Sequence, residues 1–150
     1  MVPRYITREH LWLDSGVIVQ KSNPSDRLAI IDTLNLDPLY KGISDLIGVP
    51  IERMVTETAR RTTRGYMDKM IGAEMKAFAR NSHEDLMGLV DVSFQVGRIL
   101  GCGNPHLKDL RVEGTGDDCV TIEVTEPYSA PLYFGNFAGT AEVVWTRRAE

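Results

Sequence analysis

Long apolar runs, runs of one charge and paired cysteines are all scarce in this sequence of 150 residues. No apolar stretch approaches the roughly 20 residues that span a bilayer, so we expect no membrane span. The first eight residues contain no apolar segment of the kind found in signal peptides, and we expect no signal peptide. Two cysteines do not make a disulfide framework. Together these absences predict a cytoplasmic protein.

Excess positive charge is absent as well. The 17 basic and 21 acidic residues give a formal net charge of −4. A mildly acidic chain lacks the bulk attraction for phosphates that drives nucleic-acid binding, so nucleic acid is not an expected partner. The hydrophobic fraction of 43% and the charged fraction of 25% are typical of globular proteins, and the length favours one domain over 1–150.

The common catalytic and cofactor-binding motifs are missing too. None of the three histidines lies in an HExxH motif, and neither a GxSxG elbow nor a Walker A loop is present. These absences make an enzyme less expected without excluding one, because site residues can converge from distant positions. The sequence therefore favours a binding protein, identifies no catalytic residue and leaves the cofactor unknown.

One group of potential metal ligands lies near the predicted C-terminal hairpin. Cys102, His106 and Cys119 offer the thiolates and imidazole that suit zinc. A four-ligand spacing is absent, and each cysteine is also explained as a small, half-buried residue. We favour the interpretation that the two cysteines only pack against their neighbours, and we predict no metal site.

Two hairpin patterns enclose a helical middle. The first has apolar runs at 16–20 and 28–31 around an Asn-Pro-Ser-Asp turn. In the second, Val120, Ile122 and Val124 alternate with polar residues after a Gly-rich turn, which predicts that these three face the core.

Capping signals predict the helix boundaries. Asp37 is the expected N-cap of a short helix, with Pro38 at its first position. Ser82 and Asp85 resemble a capping box that begins another. The order of elements predicts an α+β fold, with an antiparallel sheet from two hairpins and a helical layer. The predicted helices cover 37–48, 50–72, 73–80, 82–101 and 132–145.

The long predicted helix has an apolar and a basic side. Helical spacing groups Met54, Ala59, Tyr66 and Met70 with other apolar residues. On the basic side, a cluster of three arginines could clamp an anion with planar guanidinium groups. A solvated surface paired with Glu57 is the favoured alternative. The three arginines are Arg60, Arg61 and Arg64.

Aromatic residues concentrate near the C-terminus. Tyr128, Tyr133, Phe134 and Phe137 lie within ten residues, beside a pair of glycines four residues apart. Those glycines would leave a shallow groove on one side of the last helix. The groove could hold an apolar ligand, or the aromatic residues could simply belong to the core, which is the more common use of such residues.

Three stretches resemble the 4-vinyl reductase domain family. They are Asn-Pro-Ser-Asp-Arg-Leu at 23–28, Val-Thr-Ile-Glu-Val-Thr-Glu-Pro-Tyr-Ser at 120–129 and Gly-Asn-Phe-Ala-Gly-Thr at 135–140. The resemblance implies a small-molecule-binding domain, similar in fold to trafficking-complex subunits and haem-based nitric oxide sensors. It also implies a hydrophobic or tetrapyrrole-like ligand.

We therefore expect a domain that binds or senses a hydrophobic small molecule between its last helix and its long helix. The alternative, from another class, is a non-enzymatic interaction module that forms a homodimer through helix faces, where Ser93 and Gly97 suggest close backbone approach. The expected ligand-binding residues are Arg64, Tyr66, Met70, Tyr128, Tyr133, Phe134, Phe137 and Gly139.

Overall fold

A computed structural model describes residues 4–111 and 119–145 and has a mixed α+β architecture, which confirms the predicted class. Residue contacts divide the chain into two compact units, 1–32 and 33–150; the expectation of a single domain stays a prediction. In chain order the described elements are α1 (Arg4–Glu9), β1 (His10–Trp12), β2 (Ile18–Gln20), β3 (Arg27–Leu28), a 3-10 turn (Thr33–Asn35), α2 (Leu36–Ile47), α3 (Glu52–Met70), α4 (Ala73–Asn81), α5 (His83–Ile99), β4 (Asn104–Arg111), β5 (Cys119–Thr125) and α6 (Ala130–Trp145).

The first unit contains a three-stranded antiparallel sheet in the order β1-β2-β3. The predicted first hairpin is the β2–β3 pair, with Ile18 opposite Leu28. Its turn forms as expected, because the Asp26 N–H donates to the Asn23 carbonyl at 2.9 Å. Strand β1 was not expected, and β3 ends at Leu28 rather than at residue 31.

The second hairpin forms its own two-stranded sheet, so the two hairpins belong to separate sheets. Strand β4 pairs with β5 antiparallel, with Leu110 opposite Val120. The predicted alternation is confirmed over β5, where Val120, Ile122 and Val124 are half-buried and Thr121 is exposed. The predicted Gly-rich turn of this hairpin lies outside the described residues.

The core of the second unit lies where α4, α5 and α6 meet the sheet. Its most buried member is Leu86, which is 1% exposed. Partly buried apolar side chains of both strands, including Leu107 and Ile122, pack against it. The buried cluster consists of Ala79, Leu86, Val90, Phe94 and Val144.

Helix boundaries follow the capping signals with one exception. The Ser82 hydroxyl accepts from the Asp85 N–H at 3.1 Å and caps α5 as predicted. Gly48 ends α2 in the left-handed conformation that glycine tolerates. The prediction that Asp37 is an N-cap was wrong, since Asn35 occupies that position and Asp37 lies inside the first turn. None of the helices in the described ranges is long and apolar enough to cross a membrane.

The burial of Leu86 generates the first prediction. Leu86→Ala should lower the free energy of unfolding by about 3 kcal/mol, because it opens a cavity in a packed cluster. Val92→Ala removes two carbon atoms, where Leu86→Ala removes three, from the same helix at a position that is 58% exposed, and it should have little effect. Urea unfolding of both variants checks this, and equal losses of stability would contradict the assigned core.

Candidate functional site

The predicted site lies at the contact between α3 and α6, where two glycines bring the helix backbones together. A Cβ built on Gly135 would lie 2.3 Å from the Thr56 carbonyl oxygen and 2.7 Å from the Ala59 Cβ. A Cβ on Gly139 would lie 2.4 Å from the Arg60 carbonyl oxygen. Both distances are shorter than real Cβ contacts allow, so only glycine fits at these two positions.

The order of these contacts sets the direction of the helices. Gly135 meets residues 56–60 and Gly139 meets residues 60–64, so α3 and α6 run in the same direction. The predicted groove over the two glycines does exist, and it is filled by α3 itself. At Gly139, therefore, the space that a ligand was expected to occupy holds the backbone of another helix.

Ion pairs reinforce the same contact. Glu142 of α6 accepts from the Arg60 guanidinium and lies 3.5 Å from that of Arg64. Glu57 pairs with Arg60 at 3.2 Å and with Arg61 at 2.9 Å, as helical spacing predicted. The Arg61 hydrogen bond lowers the pKa of Glu57, and the Glu142 hydrogen bond raises the pKa of Arg60. The predicted anion anchor, Arg64, thus already has a carboxylate beside it.

A chain of hydrogen bonds runs from α3 through α6 to the segment that precedes α6. The Thr63 hydroxyl donates to the Asn136 Oδ1 at 2.7 Å, and the Asn136 amide donates to the Tyr128 hydroxyl. The Tyr128 N–H donates in turn to the Cys102 carbonyl at 3.2 Å. These bonds hold Tyr128 against the turn that precedes β4.

Two of the predicted aromatic residues come together here. The rings of Tyr128 and Tyr133 lie 6.2 Å apart at a tilt of 60°. Burial raises the pKa of Tyr128 to about 12, with a smaller contribution from Cys102, and it also raises the pKa values of Tyr133 and Cys102. The phenols and the thiol therefore stay protonated at neutral pH.

The remaining predicted residues are more dispersed. Phe137 is half-buried on α6, whereas Tyr66, Met70 and Phe134 are exposed, with Phe134 at 67%. The residues of the predicted apolar side of α3 differ in burial. The close contact with Gly135 leaves room only for a small side chain, and Ala59 is buried there. Met54 lies on the same helix and is exposed.

The candidate metal ligands do not form a cluster. Within residues 4–111 and 119–145, no three His, Cys, Asp or Glu side chains are grouped as a metal site requires. His106 is exposed on β4, and the Cys119 thiol lies 3.8 Å from an Asp109 carboxylate oxygen.

A second feature, which the sequence interpretation did not single out, is the way α2 is held. Asp37 accepts from the Ser129 hydroxyl at 2.6 Å and from the Ala130 N–H at 3.3 Å. Ser129 is completely buried. Two turns further along the helix, the Ser44 hydroxyl accepts from the Ile51 N–H at 3.1 Å. Polar contacts thus attach one side of α2 to its unit.

The apolar side of α2 is exposed to water. Helical spacing places Leu39, Gly42, Ile43, Leu46 and Ile47 along one strip, which we call the α2 stripe. Leu46 is 88% exposed, the other large side chains of the stripe are exposed as well, and a Cβ on Gly42 would meet open space. All twelve residues of α2 are described, and none is buried. The i, i+3, i+4, i+7 spacing was readable from the sequence, but its exposure was not.

The glycine contact generates the second prediction. Gly139→Ala should lower the free energy of unfolding by about 1–3 kcal/mol, because the new methyl group forces α6 away from the Arg60 carbonyl. Gly88→Ala is the matched control, since a Cβ there meets open space on α5. It should raise stability by about 0.5–1 kcal/mol through helix propensity. Thermal unfolding distinguishes the two, and an equally stabilised Gly139→Ala would contradict the contact.

Comparison with protein-family models, with curated proteins and with solved structures finds no match for this chain. The resemblance to the 4-vinyl reductase family therefore stays a prediction.

Proposed function

We propose that this protein is a non-enzymatic interaction module that binds a protein partner through the α2 stripe. The observation that carries the proposal is the exposure of an entire apolar helix side, which reaches 88% at Leu46. Contiguous apolar surface of this kind marks interaction sites in soluble proteins. The proposal develops the interaction-module alternative of the sequence analysis.

The attachment of α2 supports this assignment. A helix that only served the core would turn its apolar side inward. Here the side of α2 that carries Asp37 and Ser44 makes the hydrogen bonds to the rest of the unit. The α2 stripe is exposed to water. Leu36 and Tyr40 are half-buried beside Ser44, so α2 packs through a strip next to the stripe, while the large side chains of the stripe stay exposed.

A charge placed on the α2 stripe tests this function. Leu46→Glu should fold cooperatively, because the new carboxylate remains in water, and it should lose any association that wild-type protein shows. Leu86→Glu is the matched control, since it buries the same carboxylate in the core and should prevent folding. Circular dichroism melting and sedimentation velocity provide the two measurements. An unfolded Leu46→Glu would contradict the proposal, because the stripe would then be core.

Binding of a hydrophobic or tetrapyrrole-like small molecule is the second candidate. The half-buried pair of Tyr128 and Tyr133 beside Cys102 favours it, because aromatic surface with a few polar groups is typical of ligand sites. The resemblance to the 4-vinyl reductase family supports the same function. The candidate site is then the tyrosine pair rather than the contact at Gly139.

Retention of a ligand tests the second candidate. Protein purified under native conditions should carry an added mass in native mass spectrometry, with visible absorbance if the ligand is a tetrapyrrole. Tyr133→Ala should release that mass, because it removes half of the aromatic pair, whereas Tyr66→Ala, at an exposed position of α3, should retain it. A wild-type mass equal to that of the bare chain would count against ligand binding.

A further inference from the structure

We infer that the partner on the α2 stripe is a second copy of this chain, and that the two α2 helices pair antiparallel about Gly42 and Ile43. This inference rests on the proposed function, and it adds the identity and the orientation of the partner. Three properties of the stripe lead to it: its lack of charge, its shape and its area.

Charge narrows the class of partner. The charged side chains of α2 lie away from the stripe, where Lys41 pairs with Asp45 at 2.8 Å and Asp37 is occupied by Ser129. No residue of the stripe carries a charge, so nothing in it would attract a charged peptide. The surface that fits it best is equally apolar and of equal length, and a second α2 stripe has both properties.

Shape favours the antiparallel orientation. Gly42 leaves a gap beside the bulky Ile43, and open space lies where its Cβ would be. In an antiparallel pair, Ile43 of each copy enters the gap at Gly42 of the other, and Leu39 lies opposite Leu46. A parallel pair would set glycine against glycine and align the two helix dipoles, which repel each other in that orientation.

Area is sufficient for a modest dimer. Val49 and Met54, which are 58% and 61% exposed, follow the stripe in the chain and add apolar surface. The four large side chains of the stripe and these two expose roughly 600 Å² per copy, so a dimer that covered all six would bury up to about 1,200 Å², the lower limit of stable interfaces. Because area alone does not set affinity, we expect a weak dimer whose population depends on protein concentration.

A lipid surface is the other possible occupant of an exposed amphipathic helix. Helices that lie on membranes carry lysine and arginine on their polar side, where they attract anionic lipid. Helix α2 has one lysine against two aspartates, Asp37 and Asp45. Its polar side would therefore be repelled by an anionic membrane, and the second copy is favoured.

Sedimentation velocity of the wild-type chain from 1 to 200 µM is the first test. We expect a concentration-dependent shift from monomer to dimer. Leu46→Glu should weaken dimerisation by about 100-fold, as expected for a charge placed opposite a buried leucine of an interface. Lys41→Glu places a carboxylate on the opposite side of the same helix and should leave the dimer unchanged. A wild-type chain that remains monomeric at 200 µM overturns the inference.

A charge-pair variant tests the orientation. In the double variant Leu39→Lys with Leu46→Glu, an antiparallel pair places each new lysine opposite a new glutamate. Dimerisation should return to within about tenfold of wild type at low salt and weaken at 1 M salt, where screening is strong. A parallel pair would instead oppose lysine to lysine and glutamate to glutamate. A double variant that folds but stays as monomeric as Leu46→Glu overturns the antiparallel assignment.

Failure of the dimer inference and failure of the proposed function give different results. A monomeric wild type together with a folded Leu46→Glu variant removes the second copy but leaves the stripe as a surface for another protein. Co-sedimentation of the chain with vesicles of phosphatidylcholine and phosphatidylglycerol, lost in Leu46→Glu, would assign the stripe to lipid and overturn the inference. An unfolded Leu46→Glu removes the proposed function itself.

Discussion

Contact between the backbones of α3 and α6 is the constraint on which the arrangement of residues 33–150 depends. Gly135 and Gly139 admit α3 at distances that no side chain would permit, and Glu142 adds ion pairs to the arginines of α3. Once α6 is placed in this way, Ser129, the residue just before the helix, is held next to Asp37. Helix α2 is therefore positioned by a helix that follows it by more than eighty residues.

That positioning decides which side of α2 meets water. Asp37 and Ser44 use the polar side of the helix for attachment, so the side with Leu39, Ile43 and Leu46 is left outside. Exposed leucine and isoleucine side chains gain free energy when they are covered, at roughly 25 cal/mol per Å². A fold that holds such a strip in a fixed orientation has a ready surface for association. The proposed module uses this surface for association.

Local patterns predicted the fold better than they predicted the site. The Ser82 cap and the alternation through Ile122 depend on neighbours in sequence, and both were confirmed. The sequence grouped Met54 and Ala59 on one apolar side of α3 but did not show which of them is buried, because the neighbour of Ala59 is a glycine backbone that admits only small residues. Likewise, Asp37 was predicted to be an N-cap from its neighbours in the sequence. Its hydrogen-bond partner, Ser129, is 92 residues away and could not be identified from those neighbours. Contacts over such separations leave no periodic signal in the sequence.

Contact between two α2 stripes is the central claim, and an isotope-filtered nuclear Overhauser experiment measures it most directly. Methyl-labelled chain is mixed with unlabelled chain at a concentration where dimer predominates, and only signals between different chains are recorded. The account predicts signals from the Leu39 methyl groups of one copy to those of Leu46 in the other. Intermolecular signals confined to another surface, or signals that join Leu46 to Leu46, would contradict it.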